Sequence, residues 1–244
     1  MSESEKLVRC DTHGERRPAY VCQHLLDGSG RGFNWARDPE EPDALCPDAW
    51  CDACEVVLEA EGEWTEHAVE IAGIRLLCSG CYEIARERNW LQDDEAFDRL
   101  LTDACTYLQS TQDALREKYR LDAYERYDWS QDSGQLVLSQ DGKPGVLAEI
   151  AFVGSISTTS NTWLWSWANR SNAELVKGPM REVRDFGDAR RYHKLSAAHW
   201  DASEPDGWDM TAIAAYLLKA EGAYRIPSPT GYMFMIMRQL TWAQ

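Results

Sequence analysis

The chain of 244 residues is 44% hydrophobic and 27% charged, a globular composition with apolar material for one substantial core or two smaller ones. Its formal net charge of −16 disfavours nucleic-acid phosphates and anionic membrane surfaces as partners, because long-range electrostatics repel them. No apolar run approaches the ~20 residues that cross a bilayer, and no basic start, apolar stretch and cleavage site combine into a secretory signal, so a cytoplasmic location is expected.

Residues 1–90 contain seven of the eight cysteines and carry 19 acidic against 9 basic residues, a net −10. A segment this short and loop-rich builds little core, and metal–ligand bonds can replace it. The expected organisation is a Cys/His zinc-binding module over 1–90 followed by an α+β domain over 91–244.

The first candidate ligands are Cys10-Asp-Thr-His13 and Cys22-Gln-His24. The C-x2-H part resembles the opening of B-box-type zinc fingers, whereas Cys22-x-His24 departs from their usual pairing. A zinc site from Cys10, His13, Cys22 and His24 is one reading; the other buries Cys22 in a strand around Tyr20 to Leu25 and leaves both histidines exposed.

Cys51-Asp-Ala-Cys54 and Cys78-Ser-Gly-Cys81 follow, two C-x2-C pairs with 23 residues between them. Two intervening residues let the backbone fold around one ion, and four thiolates complete a tetrahedron, so Cys51, Cys54, Cys78 and Cys81 form the firmer predicted zinc site. Cysteines of a reducing compartment favour this over disulfides. The last knuckle runs into a helical stretch at residues 82–86, a treble-clef-like arrangement. Cys46 and His67 are spare ligand candidates. His13-Gly14-Glu15 with Cys51-x2-Cys54 mimics the zinc-deaminase signature, which supplies a catalytic alternative, although Trp50 stands where that signature has proline.

From Asp93, Phe97, Leu100, Leu101, Ala104, Leu108, Leu115 and Tyr119 recur at helical spacing, with Asp94 and Glu95 in the first turn, which predicts an amphipathic helix that buries Cys105 beside its stripe. Leu136–Ser139 and Val146–Val153 read as strands around an Asp141-Gly142 turn, and Thr162–Asn169 as a third strand with Trp163, Trp165 and Trp167 on one face. That face is either core or an aromatic platform for a ligand. A short helix is expected after Pro179, and a second from about Asp206 to Ala220, ended by Gly222. Strands at Tyr224–Ile226 and Tyr232–Leu240 close the chain; the last, with Met233, Met235 and Met237 alternating with Tyr232, Phe234 and Ile236, is apolar on both faces and expected to be central. His193 and His199 stand near Asp201 and Glu204 in sequence as a conceivable acid–base set. The predicted class is α+β: a small treble-clef or B-box-like zinc module, then an antiparallel sheet with helices packed on one face.

Phe152-Val153-Gly154-Ser155, the Trp163–Asn169 segment, Asp206-Gly207-Trp208-Asp209-Met210-Thr211-Ala212-Ile213-Ala214 and Glu221-Gly222-Ala223-Tyr224-Arg225 resemble an uncharacterised bacterial domain of unknown function, over about residues 94 to 242. The Asp48–Cys54 region resembles a separate bacterial zinc-binding module. Neither resemblance implies an activity. With no phosphate loop, nucleophile elbow or dinucleotide fingerprint, the expected function is that of a non-enzymatic, zinc-stabilised binding or adaptor protein whose partner is another protein. The alternatives are an acidic inhibitor or immunity-type protein, and a zinc-dependent hydrolase or deaminase.

Overall fold

The computed structural model describes residues 7–243, which divide into two compact units between Gln92 and Asp93. The architecture is α+β with mainly antiparallel pairing.

The N-terminal unit is made of short pieces. A hairpin, β1 (Val8–Cys10) and β2 (Gly14–Arg16), is followed by β3 (Pro18–Val21), a 3-10 turn at Gln23–Leu25, β4 (Asn34–Ala36) and β5 (Asp48–Trp50). Helices α1 (Asp52–Glu61) and α2 (Glu66–Ala72), strand β6 (Arg75–Cys78) and helix α3 (Ser79–Asn89) complete it. Strands β4, β5, β3 and β6 form one sheet in that order, with β3 parallel to β5 and antiparallel to β6. Helices α1 and α2 lie where few periodic runs suggested order; their signals are caps. Gly62 and Gly73 end them in left-handed conformation, and the Thr65 side chain caps the start of α2.

The C-terminal unit opens on α4 (Asp94–Tyr119), as its periodicity predicts. Then come β7 (Arg126–Ser130), β8 (Gln135–Gln140) and the long β9 (Lys143–Ser157). Next are β10 (Thr162–Trp165), α5 (Glu174–Lys177), α6 (Met180–Arg190) and α7 (His193–Ser196). The chain closes with β11 (His199–Asp201), α8 (Glu204–Leu218), β12 (Gly222–Ser228) and β13 (Gly231–Trp242). Strand β9 organises the seven-stranded sheet: β13 pairs along one edge, and β8 and then β10 share the other. Strand β13 is internal, between β9 and β12, as its two apolar faces require. Burial alternates along the first half of β9, but from Ile150 to Gly154 every residue is buried.

Three local expectations are corrected. The strand predicted through Asn169 stops at Trp165, and Ser166–Ala168 turn into a 3-10 helix; the Ser166 hydroxyl donates to the Phe152 carbonyl there. Helix α8 ends at Lys219, which takes the left-handed cap conformation itself (φ 54°), so Gly222 begins β12 instead. Cys105 is exposed rather than buried, because it lies one position off the apolar stripe.

Candidate metal centres

Two groups of four side chains gather their donor atoms, each set within 4.8 Å: Cys10, His13, Cys78 and Cys81, and Cys22, His24, Cys51 and Cys54. All eight residues predicted as ligands are in these groups, but the grouping differs from that predicted. The two C-x2-C pairs do not meet each other. Each joins one of the Cys/His pairs instead, so the centres are nested in sequence: the inner one closes the chain from 22 to 54, and the outer one clasps 10–13 to 78–81.

Sheet pairing dictates this. Pro18 at the start of β3 is opposite Cys78 on β6, and the Ser79 N–H donates to the Arg17 carbonyl at 2.9 Å. Val21 at the other end of β3 pairs with Ala49 on β5, and the Cys22 N–H donates to the Ala49 carbonyl at 2.9 Å. One four-residue strand therefore has the outer centre at its beginning and the inner one at its end, roughly 10 Å apart at 3.3 Å per residue.

The outer centre starts in the β1–β2 hairpin. Gly14, at φ +71°, makes the reversal that returns the chain beside Cys10, which pairs with it across the hairpin. Cys78 caps the N-terminus of α3, its sulfur accepting from the Cys81 N–H at 3.4 Å. Gly80 is required between them: a Cβ there would lie 2.7 Å from Cγ of the His13 ring. The inner centre repeats the device, with Cys51 at the N-cap of α1 and Cys54 in its first turn, while the Cys51 N–H donates to the Cys22 sulfur at 3.3 Å. Both knuckles place their thiols at the N-terminus of a helix.

The donor set and its spacing fit zinc. With Zn–S of about 2.3 Å and Zn–N of about 2.05 Å, a tetrahedron places two sulfurs about 3.8 Å apart and sulfur and nitrogen about 3.6 Å apart. Cys10 and Cys81 sulfurs are 3.8 Å apart, and those of Cys51 and Cys54 3.7 Å. His13 Nδ1 lies 3.6, 3.4 and 3.5 Å from the sulfurs of Cys10, Cys78 and Cys81. His24 Nδ1 lies 3.7 and 3.3 Å from those of Cys51 and Cys54. These sulfur separations are far beyond the S–S bond of about 2.05 Å that a disulfide needs. Burial raises the thiol pKa values of Cys22 and Cys54 and pushes that of Cys81 to about 12, whereas backbone N–H groups of His13 and Thr12 bring Cys10 down to about 6. A divalent cation is the partner that lets such crowded thiols ionise together.

The remaining candidates fall outside both centres. The Cys46 sulfur is 4.0 Å from Glu83 Oε1, and burial pushes its thiol up to about 12. His67 is exposed and bonded to Glu61 at 2.6 Å. The deaminase constellation is not assembled, because His13 belongs to the outer centre, Cys51 and Cys54 to the inner, and Glu15 points out from exposed strand β2. The tryptophan platform is also excluded: Trp163, Trp165 and Trp167 are at most 1% exposed. Trp163 packs edge-on to Trp165 at 5.3 Å and against Phe234 at 5.7 Å, and the Trp165 N–H donates to the Lys194 carbonyl. Of the acid–base set, Glu204 is ion-paired with Arg225.

The molecule is thus an α+β protein with two Cys3His clusters in its N-terminal unit that could hold metal ions. The model of a family of unknown function (DUF6882) matches residues 98–240, and the chain belongs to that family. Comparison with curated proteins and with solved structures found no match. Among the described residues, no helix is long and apolar enough to cross a membrane.

Proposed function

We propose that the N-terminal unit binds two zinc ions as structural cross-links and that the protein is a non-enzymatic binding or adaptor protein acting on another protein. The carrying observation is that each centre gathers four protein donors, three sulfurs and one imidazole nitrogen, within 4.8 Å of one another. Such a site is closed: no position remains for the water or substrate that a catalytic zinc needs. Three soft thiols and one imidazole select zinc over oxygen-seeking cations.

The surface of the same unit supports a protein partner that is basic and carries apolar anchors. Residues 52–70 contain seven acids and no lysine or arginine. On this unit Val56, Val69, Leu76 and Tyr20 are exposed, and Tyr20 and Leu76 are cross-strand neighbours on β3 and β6. Val56 and Val69 lie within the acidic stretch, and exposed apolar side chains amid charge of one sign are what a complementary partner covers. An inhibitor that masks a basic target is the special case of this reading; its binding weakens steeply with salt.

Metal stoichiometry tests the zinc assignment and its nesting. Wild-type protein is expected to hold two zinc ions. Cys10→Ser with Cys78→Ser removes two ligands of one centre and leaves one zinc, whereas Cys51→Ser with Cys78→Ser damages both and leaves none. No zinc in the wild type overturns the proposal, and one zinc retained in the second double variant overturns the nesting.

A further inference from the structure

The C-terminal unit contains a groove of about 540 Å³, a volume suited to a small organic ligand, bordered by α4, α8, β8, β12 and β13. Its floor is apolar: Leu108, Leu138 and Met237 are all buried. One wall carries Tyr127 and Tyr224, whose rings stack at 5.0 Å with planes 13° apart.

Several polar groups around the groove are already engaged. The Gln112 carbonyl accepts from the Ala223 N–H at 2.8 Å, Gln109 donates to Asp113, and the Tyr127 hydroxyl donates to the Leu121 carbonyl at 3.0 Å. Arg225 is paired with Glu204 and lies over the Tyr232 ring. Three charged lining groups are left over: Arg116 at the end of α4, Asp122 in the turn that follows it, and Asp209 on α8, which acts on the Cys105 thiol. None has an ion-pair partner among the described residues, and Arg116 and Asp122 do not pair with each other. It is Arg116 and Asp122 that face the tyrosine wall. Both act on the Tyr127 phenol: burial and Tyr224 raise its pKa most, Asp122 raises it further, and Arg116 opposes them. A positive and a negative group therefore stand near one aromatic wall and an apolar floor, each lacking a counter-ion.

We infer that this groove binds a small zwitterion with an aromatic side chain, a free aromatic α-amino acid, its carboxylate on Arg116, its ammonium on Asp122 and its ring against Tyr224 and the apolar floor. A guanidinium takes a carboxylate in a planar, bidentate manner, and an aspartate accepts from an ammonium. The site is built from residues of the C-terminal unit alone, so it does not depend on the zinc assignment.

Calorimetric titration of the full chain with phenylalanine, 3-phenylpropionate, phenethylamine and glycine tests the inference. Phenylalanine is expected to bind with sub-millimolar affinity, and the three probes that each lack one group at least ~10-fold more weakly, which is about 1.4 kcal/mol. Arg116→Gln and Asp122→Asn, both exposed positions, are each expected to lower phenylalanine affinity about 10-fold with unchanged circular dichroism. No saturable binding of phenylalanine up to about 10 mM overturns the inference. So does an affinity for 3-phenylpropionate or phenethylamine equal to that for phenylalanine, or an affinity that neither substitution changes.

Discussion

The two units solve the same problem with different means. In residues 93–244 the chain runs strands of 15 and 12 residues side by side and buries Leu136, Val146, Phe152, Met235 and Leu240 in one continuous cluster. Among the described residues of the N-terminal unit no strand exceeds four residues, and the main cluster includes Cys22, Cys51 and Cys54, which are themselves ligand candidates. The N-terminal core therefore incorporates residues of the candidate metal centres, whereas the C-terminal core is built of apolar side chains. Stability should follow that division.

Metal removal gives the sharpest contrast. Structural zinc sites contribute on the order of 10 kcal/mol each at neutral pH, so chelation is expected to unfold residues 1–92 while the near-ultraviolet signal of the buried tryptophans in the other unit persists. Hydrogen exchange across both units would check this, and retained protection of α1 and α3 in metal-free protein would break the comparison. The reverse experiment is Trp163→Ala. Deleting this fully buried ring costs about 3–5 kcal/mol and should lower the melting transition of the C-terminal unit with zinc stoichiometry unchanged.

A smaller effect concerns the start of α8, where Asp206 accepts from the Ser203 N–H at 2.9 Å and its hydroxyl at 2.7 Å and from Lys194 at 2.9 Å. Asp206→Asn should cost about 1 kcal/mol. Burial alone would raise the pKa of this carboxyl, but the hydrogen bonds from Lys194 and Ser203 outweigh it and hold it below its ordinary value. Its contribution is therefore present above the ordinary carboxylate range and is lost as pH falls through the lowered value, so the gap between wild type and Asp206→Asn should close in acid melts. The smallest change expected is a gain: Arg120 caps α4 at φ 53°, and Arg120→Gly should stabilise by about 0.5–1 kcal/mol by relieving left-handed strain, measured by urea denaturation.

The units also differ in how much of each was legible in advance. Helices α4 and α8 and strand β13 carry periodicity over many residues, and local pattern is enough to place them. Edge strands β7 and β11 carry almost none; they are held by partners distant in sequence, Arg126–Ser130 by β8 and His199–Asp201 by β10. The stop of β10 at Trp165 also depends on contact, since Ser166 turns towards the Phe152 carbonyl.

In the metal centres the same line separates the two kinds of information. Residue chemistry and spacing by themselves determined which eight side chains are ligand candidates, because a short, turning backbone can aim two donors at one ion, and Cys10 to His13, Cys51 to Cys54 and Cys78 to Cys81 are all such turns. Which pair faces which was decided by tertiary structure alone. The antiparallel register of Pro18 with Cys78 and the parallel register of Val21 with Ala49 bring together groups that are 65 and 27 residues apart (His13 to Cys78 and His24 to Cys51). Strand pairing is fixed by the packing of whole faces, and that information is not contained in the spacing of any one motif.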